Sequence, residues 1–188
     1  LLLGRGVDPN EGIKHLPLEL AAAQSQPSVL RLLIDRGADV NSGRVRTPLE
    51  AASAEGRVRH VAFLLQRGAD PNLGIRRTPL EAAASKRAEE TIRLLLDKGA
   101  DVNKAIAMTP LEALIGLWGS EPFDLAQLLI ERGADVNRGI NMAPLQMANG
   151  RGYEKISQLL IEMGADVEIE SVSVAWVQAL EFLASQWS

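Results

Sequence analysis

The chain has 188 residues, enough for one compact domain or one repeat array, and a formal net charge of −4. Hydrophobic residues make up 46% but aromatics only 4%, which suits a continuous core of thin, closely packed helices. Basic residues scattered through a net-negative chain argue against nucleic-acid or membrane binding by the whole chain, and the absence of cysteine excludes disulfides and thiolate metal sites.

The first residues, Leu1-Leu2-Leu3-Gly4-Arg5-Gly6, read by comparison with later stretches as the end of a helix. The chain is therefore expected to be a piece of a longer protein. No run of about eighteen apolar residues and no signal peptide is visible, and nothing points to an oxidising compartment. The cytoplasm or the nucleus is the expected location.

Two words then recur along the chain. Gly-Ala-Asp-Val-Asn begins at Gly37, Gly99 and Gly133, with variants at Gly6, Gly68 and Gly164, at intervals of 31, 31, 31, 34 and 31 residues. Thr-Pro-Leu-Glu begins at Thr47, Thr78 and Thr109, with variants at Leu16 and Ala143, at intervals of 31, 31, 31 and 34. Two independent words sharing one period and one slip identify a repeat architecture.

Each repeat reads as two short helices. Thr47 caps the first exposed amides, Pro48 takes the first helical position, and Glu50 closes a capping box. Ala51 and Ala52 permit close approach of a neighbouring helix, and Gly56 marks a turn. Val58, Val61, Leu64 and Leu65 then keep helical spacing up to Gly68, which ends the second helix. Asp70 and Asn72 supply turn chemistry. Such short helices are marginal alone, so stability must come from stacking.

Thr-Pro-Leu-Glu-Ala-Ala, an apolar stretch such as Leu94-Leu95-Leu96, and Gly-Ala-Asp-Val-Asn together closely resemble the ankyrin repeat, over essentially residues 1–168. That family has a usual period of about 33 and a His closing its tetrapeptide. Here the period is 31 and the fourth residue is Glu or Gln, which places the two missing residues between Asn41 and Thr47. The resemblance implies an all-α solenoid of stacked helix-turn-helix units joined by short hairpin fingers. It implies one domain over 1–188: the end of a truncated repeat at 1–10, then repeats at 11–41, 42–72, 73–103, 104–137 and 138–168. Residues 169–188 would form a capping helix.

Stacking turns the sequence into columns about 8–10 Å apart. Glu19, Glu50, Glu81, Glu112 and Gln146 form one. It reads as the capping box of each first helix, in preference to a carboxylate ladder for acid/base work or cation binding. Leu16 and Ala143 lack the capping hydroxyl, so the first and last inner helices should fray more. His60 shares a column with Val29, Thr91, Leu125 and Ile156 and reads as a partly buried packing residue, not a metal ligand paired with His15.

The fingers change character along the stack. Lys14, His15, Arg46, Arg76 and Arg77 make the first half basic, whereas Met108 and Met142 make the second half apolar. In ankyrin proteins fingers and inner helices line the concave face that usually engages partners. The plainer alternative is solvated charge on loops with methionines packed between repeats. The fourth repeat gains Trp118-Gly119-Ser120, and Trp118 either anchors a partner or packs back over the helix ends. Beyond Asp166, residues 173–187 read as an amphipathic helix with Trp176, Leu180, Leu183 and Trp187 on one face, a cap or a docking segment.

The resulting expectation is a protein-interaction module without enzymatic chemistry, cofactor or metal. Its partner would be another protein offering an acidic and apolar segment, with contact to flanking domains of the parent protein also open. Arg44, Arg46, Arg76, Arg77, Ile106, Met108, Trp118, Ile140 and Met142 are the candidate contact residues. The alternatives are a small-molecule or catalytic groove, which would need the Glu column, an Arg pair and Trp118 to converge on one pocket, and a spacer with no functional face.

Overall fold

The computed structural model describes residues 8–11, 16–24 and 26–167. Lys14 and His15, and the amphipathic segment at 173–187, lie outside the described residues.

Ten helices alternate between two layers among the described residues. The inner layer holds α1 (Pro17–Ala23), α3 (Pro48–Ala54), α5 (Pro79–Lys86), α7 (Pro110–Ile115) and α9 (Pro144–Arg151). The outer layer holds α2 (Pro27–Asp35), α4 (Val58–Gln66), α6 (Glu89–Asp97), α8 (Phe123–Glu131) and α10 (Glu154–Glu162). Each inner helix packs against the next inner helix and against its own outer partner. The architecture is an all-α solenoid, and none of its described helices is long and apolar enough to cross a membrane.

Every inner helix opens with proline at its first position, where the missing N–H costs nothing. Thr47, Thr78 and Thr109 accept the N–H of Glu50, Glu81 and Glu112, each at 3.1 Å. Leu16 and Ala143 make no such cap. The inner helices then bury alanine (Ala51, Ala52, Ala82, Ala83, Ala84), which lets neighbouring backbones approach closely. The outer helices bury a leucine or isoleucine spine that includes Leu30, Leu64, Leu95, Leu129 and Leu160. At Gly68 the backbone turns left-handed (φ 89°), which ends α4 and points the chain into the next finger.

The fingers contain turns and bends, with no strand among the described residues. Their polar backbone is satisfied across repeat boundaries by two side-chain ladders. Asn72 donates to the carbonyl of Gly99 at 3.0 Å and accepts the N–H of Asp101 at 2.7 Å. Asn10, Asn41, Asn103 and Asn137 repeat both bonds. The aspartates keep the expected turn role: Asp70 accepts the N–H of Asn72 at 2.8 Å. The asparagine thus joins one repeat to the next, which the turn reading did not include.

Candidate functional site

The second ladder ties each inner helix to the finger of the next repeat. Glu50 is 1% exposed, and its carboxylate accepts the N–H groups of Ile75 at 2.9 Å, Arg76 at 3.4 Å and Arg77 at 3.1 Å. Glu19 does the same for Arg44, Val45 and Arg46, Glu81 for Ile106 and Met108, and Glu112 for Asn141 and Met142. The capping-box reading is therefore incomplete, and at Glu50 the box is only half made: Thr47 accepts the N–H of Glu50, but the Glu50 carboxylate turns to the next finger. Glu81 and Glu112 do close the box on Thr78 and Thr109, at 3.3 and 2.7 Å, but each carboxylate also pins the finger of the following repeat.

This bonding decides the charge state of the column's most engaged member. Burial raises the Glu112 carboxyl, yet the backbone N–H groups of Thr109, Ile140, Asn141 and Met142 outweigh it and hold the group below its usual range. These carboxylates act as structural acceptors for finger backbone N–H groups.

Gly74 shows why the fingers are tight. A side chain there would start 1.9 Å from the carbonyl oxygen of Arg77, and Gly43 and Gly139 meet the carbonyls of Arg46 and Met142 at 2.0 Å. The chain folds back over its second finger residue, so the third to fifth residues arrive together above the Glu carboxylate.

Two adjoining hollows result. The first, about 520 Å³, is lined by Arg46, Arg76 and Arg77 together with Glu50, Ala54, Ala82 and Ala107. The second, about 480 Å³, shares Arg77 and continues along Met108, Leu117, Met147 and Arg151. Four candidate contact residues, Arg46, Arg76, Arg77 and Met108, thus line one continuous strip. Arg44, Ile106, Ile140 and Met142 are exposed on the fingers outside the two hollows, and Ile75 forms an exposed row with Ile106 and Ile140.

Trp118 lies outside both hollows. It is 77% exposed, and the Arg151 guanidinium stacks on its ring at 4.0 Å from the centroid. The loop that carries it is held from both sides. Arg87 of the preceding repeat donates to the carbonyls of Ser120 at 2.6 Å and Leu117 at 3.0 Å. Tyr153 of the following repeat donates to Leu117 at 2.6 Å, and Arg151 donates to Gly116. Glu121 accepts the N–H of Ile156 at 2.7 Å in the first turn of α10. The insertion is a fixed platform presenting Trp118.

Arg151, Met147 and Leu117 were not singled out from the sequence. Arg151 shares its column with Lys86 at the end of an inner helix, and that shared charge was the available signal. His60, read as partly buried, is fully buried, with its Nδ1 3.0 Å from the carbonyl of Ala22 in the preceding repeat. An Nδ1–H tautomer donates there, a bond that the apolar residues of its column cannot make.

Residues 1–75 match the family model described as ankyrin repeats in three copies, and residues 76–106 match the model of the single ankyrin repeat. No curated protein matches the chain.

Proposed function

We propose that this chain binds a segment of another protein along its concave face, starting from its family: the chain belongs to the ankyrin repeats, which are generally protein–protein interaction modules. The observation that carries the reading is the strip formed by the two hollows, basic at Arg46, Arg76 and Arg77 and apolar at Met108, Leu117 and Met147. Its surface is preformed, because buried glutamates hold the fingers before any partner arrives, and preorganisation lowers the cost of binding. Acidic side chains of the partner pair with the arginines, and apolar ones cover the methionines. The mechanism is complementarity without chemistry. The glutamates that a catalytic groove would need are engaged by backbone N–H groups, and Trp118 stands outside both hollows.

Selection of random peptides on the immobilised chain tests this. The expected winners combine acidic and apolar residues, bind less tightly as salt rises, and lose affinity for the double variant Arg76→Glu/Arg77→Glu. Peptides that bind the double variant undiminished would place the binding face elsewhere.

A further inference from the structure

The first hollow carries more positive charge than an acidic side chain requires. Arg46, Arg76 and Arg77 all line it, and among the described residues none of the three makes an ion pair. The outer helices differ: there Arg67 pairs with Asp35, Arg93 with Glu89 and Arg132 with Asp97. The one carboxylate that lines the hollow is Glu50, which accepts the backbone N–H groups of Ile75, Arg76 and Arg77. Three arginines without an ion pair among the described residues therefore line one hollow, and its only lining carboxylate is bonded to backbone. The rest of the lining is Val45, Glu50 and the small side chains of Ala54, Ala82 and Ala107, and the hollow of about 520 Å³ has room for a compact anion.

A carboxylate offers two oxygens and one charge, which a single bidentate arginine satisfies. A phosphorylated side chain offers three oxygens and a charge of about −1.5 to −2, one oxygen edge for each of three arginines. We infer that the Arg46–Arg76–Arg77 hollow is a phosphoryl-recognition site, and that the partner segment carries a phosphorylated serine or threonine. This rests on the concave-face reading above and names the chemistry of the segment.

The geometry also sets a register. The second hollow, with Met108, Leu117 and Met147, lies one repeat further along and shares Arg77. Repeat spacing of about 8–10 Å and an extended rise of about 3.3–3.6 Å per residue separate the two occupants by about three positions. The partner segment thus places an apolar residue about three positions from its phosphorylated one.

Three peptide libraries on the immobilised full chain test the assignment, with phosphoserine, serine or glutamate at a fixed centre and random flanks. The phosphoserine library should be retained over the serine library, with apolar residues enriched about three positions from the centre. For the best peptide, fluorescence polarisation should show a loss of about tenfold or more in each of Arg46→Gln, Arg76→Gln and Arg77→Gln. Arg93→Gln, on an outer helix, should leave affinity unchanged. Affinity should also fall between pH 7 and 5.5, as the phosphoryl group passes its second pKa of about 6.

Glutamate-centred peptides that bind as tightly as phosphoserine ones, with the same arginine dependence, would overturn the phosphoryl assignment and leave the acidic-segment reading standing. Binding indifferent to all three arginine variants would overturn both. Inorganic phosphate that binds as tightly as the best peptide would overturn the segment and reduce the hollow to a free-anion site. Retention of no library by a chain that unfolds cooperatively would also overturn the assignment.

Discussion

The carboxylate of Glu50 accepts the N–H of Ile75 at 2.9 Å, so a residue of one inner helix shapes the finger of the next repeat. The same relationship recurs at three other glutamates, and it makes a column of buried acids the frame of the fingers. Finger shape and stability are therefore coupled at these positions.

Glu81→Ala should be among the most damaging single changes. It orphans the N–H groups of Thr78, Ile106 and Met108 and leaves a buried gap. The Thr78 donor is buried and the other two are part-buried, and an unsatisfied buried donor costs about 1–3 kcal/mol, so a loss of about 2 kcal/mol or more is expected in urea unfolding. Glu81→Gln keeps one acceptor oxygen and should cost less. Equal stability of wild type and the alanine variant would refute the framing role.

Acid should loosen the fingers. The folded carboxyl of Glu112 lies below its usual range, because backbone N–H donation outweighs burial. A depressed carboxyl contributes stability that is fully present above the unfolded value of about 4.3 and is lost as pH falls through the lower folded value. Thermal midpoints should therefore drop more steeply below about pH 4.3 in wild type than in Glu112→Gln. Parallel curves for the two proteins would remove Glu112 from the acid response.

Arg87 adopts a left-handed backbone (φ 55°) where the matching turns use Gly56 (φ 64°) and Gly152 (φ 70°). That conformation costs a non-glycine residue about 1–2 kcal/mol, offset here by the bonds from its guanidinium to Ser120 and Leu117. Arg87→Ala keeps the strain and loses the bonds, whereas Arg87→Gly loses both. The alanine variant should be the less stable of the two by about 1 kcal/mol, and amide exchange across 117–120 should accelerate in both. If alanine and glycine prove equivalent, the strain at this turn is negligible.

Gly74→Ala tests the finger without touching an arginine. The new methyl would start 1.9 Å from the carbonyl oxygen of Arg77, so the backbone carrying Arg76 and Arg77 must shift. A cost of about 1–3 kcal/mol is expected, as for other overpacked sites, together with weaker binding of peptides selected on wild type. The fourth finger carries Ala105 at this place, and there Glu81 takes the N–H groups of Ile106 and Met108, against three in the Gly74 finger. Unchanged peptide affinity in Gly74→Ala would separate the finger's shape from recognition.

The sequence by itself determined the solenoid, because its signals are local and repeated. A threonine cap, a proline at the first helical position and a glycine at the helix end act within a few residues, and a shared period multiplies each of them. It also showed which fingers are basic and which apolar. Only the tertiary structure decided where the glutamate carboxylates and asparagine amides point, since their partners lie 25 or more residues away and the same residues also satisfy a local reading. It likewise decided that Arg46, Arg76 and Arg77 share one hollow while Trp118 stands outside it. The reason is register: a finger meets the glutamate of the repeat before it only once the helices have stacked, and stacking sets a distance that no single repeat encodes.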